Sequence, residues 1–398
     1  MLANRVKILA DSKTLLMANK ARALRADGVK VYDFTIGEPD YPTPDNIKQY
    51  AKKAIDNNIT KYSSNEGSIN LRKAIKDYIK HEFNLDYDLS EIIVSTGAKQ
   101  SIFNAVLSII DPGDEVIIPA PYYVSYPEIV SLAQGKQVII NTSEKNGYKI
   151  KPEDLEKAIT SKTKLFILNN PCNPTGAAYT KSELMGLAEV LRNKNIFILS
   201  DEIYYKLVYD GLEFASFASL GEDIKKRTII INGVSKTYSM TGWRIGFGAA
   251  EREIIQAMNK IQSHSTSGAC SVSQEAAFEA YVGDQNEAIK MVKEFQNRRD
   301  YLYESMLAIR GITCQKALGA FYLFPDISYF FKYSYKGKPI SNSDDFAEFL
   351  LDYAHVAVVP GGASGYDNCI RLSYATSIEN IKSGAEKIFD ALKYLSEK

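Results

Sequence analysis

Between about residues 90 and 250 the chain repeats one pattern: four or five apolar, mostly β-branched residues, then a longer amphipathic stretch. Ile92-Ile-Val-Ser precedes a helical pattern over 98–110, Glu115-Val-Ile-Ile one over 123–133, and Lys164-Leu-Phe-Ile-Leu one over 181–193. Ile196-Phe-Ile-Leu, followed by a turn, then Thr228-Ile-Ile-Ile-Asn and Ile245-Gly-Phe-Gly complete the set. Short apolar runs without polar alternation are what strands covered on both faces require, so the pattern predicts a largely parallel sheet between helices. The fold class is α/β.

Beyond residue 250 the pattern changes. Residues 251–309 read as mainly helical, with a charged amphipathic segment over 284–309. The remainder mixes short strands (321–324, 356–359, 369–373) with helices near 343–354 and 377–395, which describes a smaller α+β unit. The first forty residues are expected to pack with it. The expected division is a large domain over 40–295 and a small domain made of 1–39 with 296–398, which a chain of 398 residues is long enough to build.

Charge narrows the ligand. Lys and Arg total 48, and Asp and Glu also total 48. Without a basic excess there is no electrostatic case for a nucleic acid or an anionic membrane as partner, so a small molecule is expected. The N-terminal apolar run is too short for a signal peptide, and no later stretch is apolar enough to span a bilayer. Cys172, Cys270, Cys314 and Cys369 lack the spacing of a metal knuckle or disulfide framework, which fits a reducing cytoplasm. His81, His264 and His355 share no metal-ligand spacing, and no metal site is expected.

In open α/β sheets ligands sit beyond the carboxyl ends of the strands. After Ile92–Ser95 comes Thr96-Gly97-Ala98-Lys99-Gln100, opening a helix whose free N–H groups and dipole suit a phosphate; a glycine also serves there as an ordinary turn residue. Asn169-Asn-Pro-Cys-Asn-Pro-Thr-Gly176 holds two X-Pro steps, a rigid turn that either fixes the Asn173 amide toward a ligand or serves the chain alone. Asp201-Glu-Ile-Tyr204 sets an acid and a tyrosine at a strand end, where Asp201 faces a ligand or caps a helix. Asn232-Gly-Val-Ser235-Lys236-Thr-Tyr-Ser-Met-Thr-Gly-Trp-Arg244-Ile-Gly246 gathers a lysine, hydroxyls and an arginine around the chain's one tryptophan.

Together with Ile36-Gly-Glu-Pro-Asp-Tyr-Pro-Thr-Pro44 and Arg371-Leu-Ser-Tyr-Ala-Thr376, these stretches resemble, almost end to end, the class I aminotransferases of pyridoxal-phosphate (PLP) fold type I. The Ser-Lys-x-x-x-Met-Thr-Gly-Trp-Arg-x-Gly string is specific to that family. The resemblance implies that Lys236 carries pyridoxal 5'-phosphate as a Schiff base and shuttles the proton at the substrate α-carbon. It implies that Asp201 pairs with the pyridine nitrogen and keeps the ring an electron sink. Asn173 and Tyr204 would hydrogen-bond the phenolic oxygen, and Tyr123 would stack on the ring. The phosphate would fall to Gly97, the N–H groups of Ala98 and Lys99, the Ser235 hydroxyl, Arg244, and Tyr62 from the neighbouring subunit of a homodimer. Arg371, with Asn173 and the Gly37 backbone, would hold the substrate α-carboxylate.

For substrate, the resemblance is closest to the bacterial and archaeal aspartate aminotransferases, in which the lysine of a similar Gly-[Gly/Ala]-Lys-Gln motif meets the distal carboxylate of a dicarboxylic substrate. Lys99, with Thr14 in Asp11-Ser-Lys-Thr, therefore implies ping-pong exchange between L-aspartate and 2-oxoglutarate. A solvated lysine at a helix start is the plainer reading of Lys99. Aromatic and prephenate aminotransferases share much of this pattern and stand as alternatives. A PLP lyase, which expels a β-substituent from the same carbanion, is a more distant one.

Overall fold

The computed structural model describes residues 3–9 and 13–397. A short strand, β1 (Tyr32–Asp33), precedes a central sheet of seven: β2 (Ile92–Ser95), β3 (Glu115–Ala120), β4 (Lys136–Asn141), β5 (Thr163–Asn169), β6 (Phe197–Asp201), β7 (Thr228–Gly233) and β8 (Gly246–Ala249). Their order across the sheet is β2-β8-β7-β6-β5-β3-β4. Pairing is parallel from β4 through β3, β5 and β6 to β7, while β8 runs antiparallel to both β7 and β2. The sheet is mostly parallel, as the sequence pattern predicts. That pattern misses β4, because Lys136-Gln-Val-Ile-Ile-Asn forms the sheet edge, is partly exposed along its length and lacks the all-apolar signature of a doubly covered strand.

The pleat sends successive side chains to opposite faces. Val116 and Ile118 of β3, Leu165 and Ile167 of β5, and Ile229 and Ile231 of β7 pack with Ile102, Val106, Ile129 and Met258 from the helices Ala98–Ile109, Ser125–Leu132 and Arg252–Ser263. Ile117, Phe166, Leu168 and Ile198 turn the other way, onto Leu184, Leu187 and Leu191 of the helix Lys181–Leu191. Ile92, Val94 and Ile230 meet Leu71, Ile75 and Ile79 of the helix Ile69–Phe83. Helix starts differ in a way that matters to the site. Lys181–Leu191 opens with a capping box between Thr180 and Glu183, whereas Ala98–Ile109 follows Gly97 and has no side-chain cap.

The C-terminal part adds β9 (Tyr322–Leu323), a hairpin of β10 (Ser334–Tyr335) and β11 (Lys338–Pro339), then β12 (Val356–Ala357), β13 (Val359–Pro360) and β14 (Ile370–Ser373). β14 lies antiparallel between β13 and β9, and β12 pairs in parallel with β1. Met17 and Ala21 of the helix Lys13–Ala26 share one apolar core with Phe295 and Leu302 of Asn286–Leu307, Phe346 and Leu350 of Ser343–Ala354, and Ile388 and Leu392 of Ile378–Ser396. The N-terminal residues thus pack with the C-terminal ones. Ile203, Tyr204 and Leu207 enter the same core, so the chain just past Asp201 is held between the sheet and the C-terminal elements. Among the described residues no helix is long and apolar enough to cross a membrane.

Gly246 starts β8 against the first turn of Ala98–Ile109, and a Cβ there would fall on the backbone of Gly97 and Ala98, which cannot swing aside as a side chain would. Gly246→Ala should therefore cost roughly 1–3 kcal/mol, the range for overpacking a tight interior. The readout is a lower urea midpoint at unchanged slope; an unchanged midpoint would show that strand and helix separate freely.

Candidate active site

Strand β6 ends on Asp201, which is 4% exposed. Its Oδ2 accepts a 2.6 Å hydrogen bond from the Tyr126 hydroxyl, and its Oδ1 a longer one, 3.3 Å, from the Ile203 N–H. No helix begins here, so the capping alternative is set aside: the side chain binds backbone two residues on. Burial pushes its pKa up to about 6, against the opposing pull of the Tyr126 hydroxyl, the Ile203 N–H and the Lys236 ammonium.

Strand β7 leads through the buried Ser235 to Lys236. The Lys236 Nζ donates to the Gly37 carbonyl at 2.6 Å and stands 5.9 and 5.8 Å from the ring centres of Tyr204 and Phe321. Desolvation brings its pKa down to about 8; Arg371 and Arg244 add to the fall, while Glu38 and Asp201 resist it. An amine that sheds its proton this close to neutrality is a usable nucleophile and base. The loop carrying Gly37 is tied down nearby. Thr241 Oγ1 donates to Glu38 Oε2 at 2.5 Å, Thr43 Oγ1 donates to the Ser239 carbonyl at 2.7 Å, and Trp243 Nε1 donates to Thr43 Oγ1 at 3.0 Å.

Beyond β5, the Asn173 N–H donates to Asn169 Oδ1 at 2.8 Å, which holds the turn. Asn173 Oδ1 accepts from Arg371 Nη1 at 3.1 Å, and Arg371 Nη2 donates to the Thr35 carbonyl at 2.8 Å. The guanidinium lies over the Tyr322 ring, 4.5 Å from its centre, and its buried Nε has no hydrogen-bond partner. A buried cation with an unspent N–H is suited to an anionic ligand. The hydroxyls of Tyr204 and Tyr322 are 3.0 Å apart, and burial raises the pKa of both phenols.

At the other end, Arg244 adopts a left-handed backbone with φ of 57° and lays its guanidinium against Gly97, where a Cβ would collide with it. Arg244 Nη1 donates to the Thr241 carbonyl at 2.8 Å. Gly97 has φ of 83°, so both the conformation and the space require glycine. The uncapped Ala98 and Lys99 N–H groups lie beside a guanidinium, a chemistry suited to an anion. Lys99 is exposed, its Nζ 5.3 Å from the centre of the Tyr123 ring, which meets Tyr126 edge-on at 5.4 Å.

The structure thus brings Gly37, Gly97, Ala98, Lys99, Tyr123, Asn173, Asp201, Tyr204, Ser235, Lys236, Arg244 and Arg371 to one edge of the sheet. Tyr62 is fully exposed at 103% and stands apart from its own chain's cluster. Thr14 lies in the first turn of Lys13–Ala26, with its side chain outside the described residues. Sequence reasoning did not single out Tyr126, Phe321, Tyr322 or Glu38. Tyr126 follows Tyr123 by about one helical turn, a spacing that could have flagged it. Tyr322 sits on a two-residue strand 118 positions from Tyr204 and has no local signal.

A family model described as aminotransferase class I and II matches residues 29–388. A Rickettsia conorii protein named probable aspartate/prephenate aminotransferase is 46% identical over 97% of this chain and 97% of its own. The solved aspartate aminotransferase from Rhizobium meliloti superposes with a TM-score of 0.96 at 42% identity, covering 99% of each chain. That of Thermus thermophilus with maleate gives 0.91 at 37% identity, covering 98% of this chain and 99% of that one.

Acylation of Lys236 in the cofactor-free protein, followed by peptide mapping across pH, should show a midpoint near the value of about 8 rather than the 10.5 of a free lysine. A midpoint above pH 10 would mean that the amine is not desolvated.

Proposed function

We propose, for a chain that belongs to the class I and II aminotransferases, that this transaminase exchanges amino groups between L-aspartate and 2-oxoglutarate, using pyridoxal 5'-phosphate. One observation carries the reading: a desolvated lysine, a buried carboxylate and an arginine with an unspent N–H meet at the carboxyl edge of the sheet.

The residues fit the cofactor. Uncapped N–H groups of Ala98 and Lys99, the Ser235 hydroxyl and the Arg244 fork suit its phosphate, and Asp201 offers a buried anion to its ring nitrogen. Asn173 has its Oδ1 engaged by Arg371, which leaves its Nδ2 donor free to meet the ring oxygen together with the Tyr204 hydroxyl, and Tyr123 would supply an aromatic face. When bound, the cofactor supplies an electron-withdrawing ring that acidifies the α-carbon of an attached amine. Lys236 would move that proton, having an amine that is neutral in useful proportion near pH 8. Arg371 receives the α-carboxylate in a position fixed by Asn173, Thr35 and the Tyr322 ring, with the Gly37 backbone alongside.

Lys99 supports a dicarboxylic substrate. Its ammonium touches an aromatic face and makes no ion pair among the described residues, so its charge is available to a second carboxylate. The Thermus relative was solved with maleate, itself a dicarboxylate. The prephenate in the names of relatives is a dicarboxylate too, so the same lysine would serve it, and prephenate is the second reading. Thr14 is assigned to the same carboxylate by resemblance.

Residues 40–295 would form the cofactor-holding domain and 1–39 with 296–398 the small one, supported by the apolar core that the chain's two ends share. The fully exposed Tyr62 supports a homodimer in which it reaches the neighbouring subunit's phosphate site. A cytoplasmic location is supported by four cysteines that remain free.

Adding L-aspartate without a keto acid should convert the visible band of the lysine-bound cofactor to the amine form, and L-phenylalanine should not; equal conversion would favour a broad or aromatic enzyme. Lys99→Ala should raise the KM for aspartate roughly tenfold, the worth of one partly exposed charge contact, and that for phenylalanine under twofold. Equal effects would remove Lys99 from substrate recognition. Lys236→Ala should abolish both the band and turnover, and retained turnover would reject the mechanism.

A further inference from the structure

We infer that Tyr126 is a positioning residue: its hydroxyl commits the Oδ2 oxygen of Asp201 and leaves Oδ1 as the oxygen that meets the cofactor's ring nitrogen. The inference rests on the PLP reading above and extends it to a residue that touches neither cofactor nor substrate. Tyr126, 2% exposed, is the second residue of the helix Ser125–Leu132 and packs on the sheet face formed by β3, β5 and β7. Since a carboxylate only accepts, the phenol must be the donor in the 2.6 Å bond. The second carboxylate oxygen receives just the 3.3 Å contact from Ile203 and keeps lone pairs to spend. The Tyr126 ring also braces Tyr123 edge-on, the planes at 82°.

The bond acts on charge as well as direction. The titratable groups around Asp201 are Tyr126, Cys172, Glu202 and Lys236. Tyr126 and Cys172 are held neutral by burial, and Glu202, turned to Ser200, Ser216 and the Phe217 N–H, is pushed up to about 7. Tyr126 is thus the one hydroxyl that stabilises the anion of Asp201 directly among the described hydrogen bonds. A hydrogen bond to a charged group is worth roughly ten- to a hundredfold in equilibrium constant, or about one to two pH units. Without it Asp201 would titrate near or above neutrality and cease to be an anion where the enzyme works.

The test uses Tyr126→Phe, Asp201→Asn and the double variant, titrating cofactor-free protein with PLP from pH 5 to 9. Tyr126→Phe keeps the ring contacts and should weaken PLP binding roughly ten- to a hundredfold at pH 5 and about two- to tenfold at pH 7, the deficit vanishing toward pH 9 as Asp201 ionises. In the Asp201→Asn background the same change should add less than twofold.

The thermal midpoint of the cofactor-free proteins supplies a readout independent of binding. A carboxyl whose pKa is raised on folding gives stability that is present below its unfolded value of 3.8 and is lost as pH rises to about 6. In Tyr126→Phe this loss should continue upward by about one to two pH units, and Asp201→Asn should abolish it. A binding deficit that is independent of pH, or equal in both backgrounds, would overturn the inference. If Asp201→Asn leaves PLP affinity unchanged, the cofactor reading falls and this role with it, whereas a loss in Asp201→Asn without one in Tyr126→Phe sinks the Tyr126 role alone. Should Tyr126→Phe not fold, 3-fluorotyrosine at position 126, a stronger donor of nearly the same shape, should move the acid limb of PLP binding downward, and an unmoved limb would overturn the inference.

Discussion

A carboxylate at the end of an apolar strand has to be compensated, and much of the site follows from how Asp201 is. Raising its pKa from 3.8 to about 6 corresponds to about 3 kcal/mol of unrelieved desolvation, after three neighbours have already lowered it. One of those neighbours is a phenol from the helix Ser125–Leu132, another the backbone turn after β6, and the third Lys236 in the turn that follows β7. The relation is mutual. Lys236 is itself desolvated, and Asp201 is among the groups that keep its ammonium from falling further. The strands that lead into these two residues are in fixed register, Asp201 opposite Ile231, and a slip by one residue would send the carboxylate to the opposite face.

The second half of the site comes from elsewhere in the chain. Arg371 and Tyr322 lie on adjacent antiparallel strands, β14 and β9, and they reach Asn173 and Tyr204 in the turns beyond β5 and β6. The cluster of Arg371, Tyr322, Asn173 and Tyr204 therefore exists only when the C-terminal elements are seated. Further ties run across the same boundary. Arg298 pairs with Asp40 at 2.7 Å while lying over the Tyr41 and Phe295 rings, and Lys236 reaches the Gly37 carbonyl. These contacts are polar and directional, and they fix how the joined segments meet beside the apolar core they share.

Much of the fold was legible because its signals are local. Six of the seven central strands announce themselves as short apolar runs, since each is covered on both faces, while β4 escapes because it is partly exposed along its length, unlike the other edge strand, β2. The glycines at 97 and 246 mark where backbone and guanidinium crowd together, and the uncapped N–H groups of Ala98 and Lys99 follow directly. Polar residues immediately after strands β2, β5, β6 and β7 could be read as site residues from position alone, because parallel strands end on one edge.

The sequence by itself therefore determined the α/β layering, the positions at which chemistry appears, and the family whose motifs Lys236, Asp201, Asn173, Arg244 and Arg371 complete. Only the tertiary structure decided which of these groups touch and what that does to them. Tyr126 meets Asp201 across 75 residues, Tyr322 meets Tyr204 across 118, and Arg371 meets Asn173 across 198. The physical reason is that periodicity and turn chemistry are set by neighbours a few residues away, whereas the acidity of Asp201 and the basicity of Lys236 depend on desolvation and on partners brought in by packing.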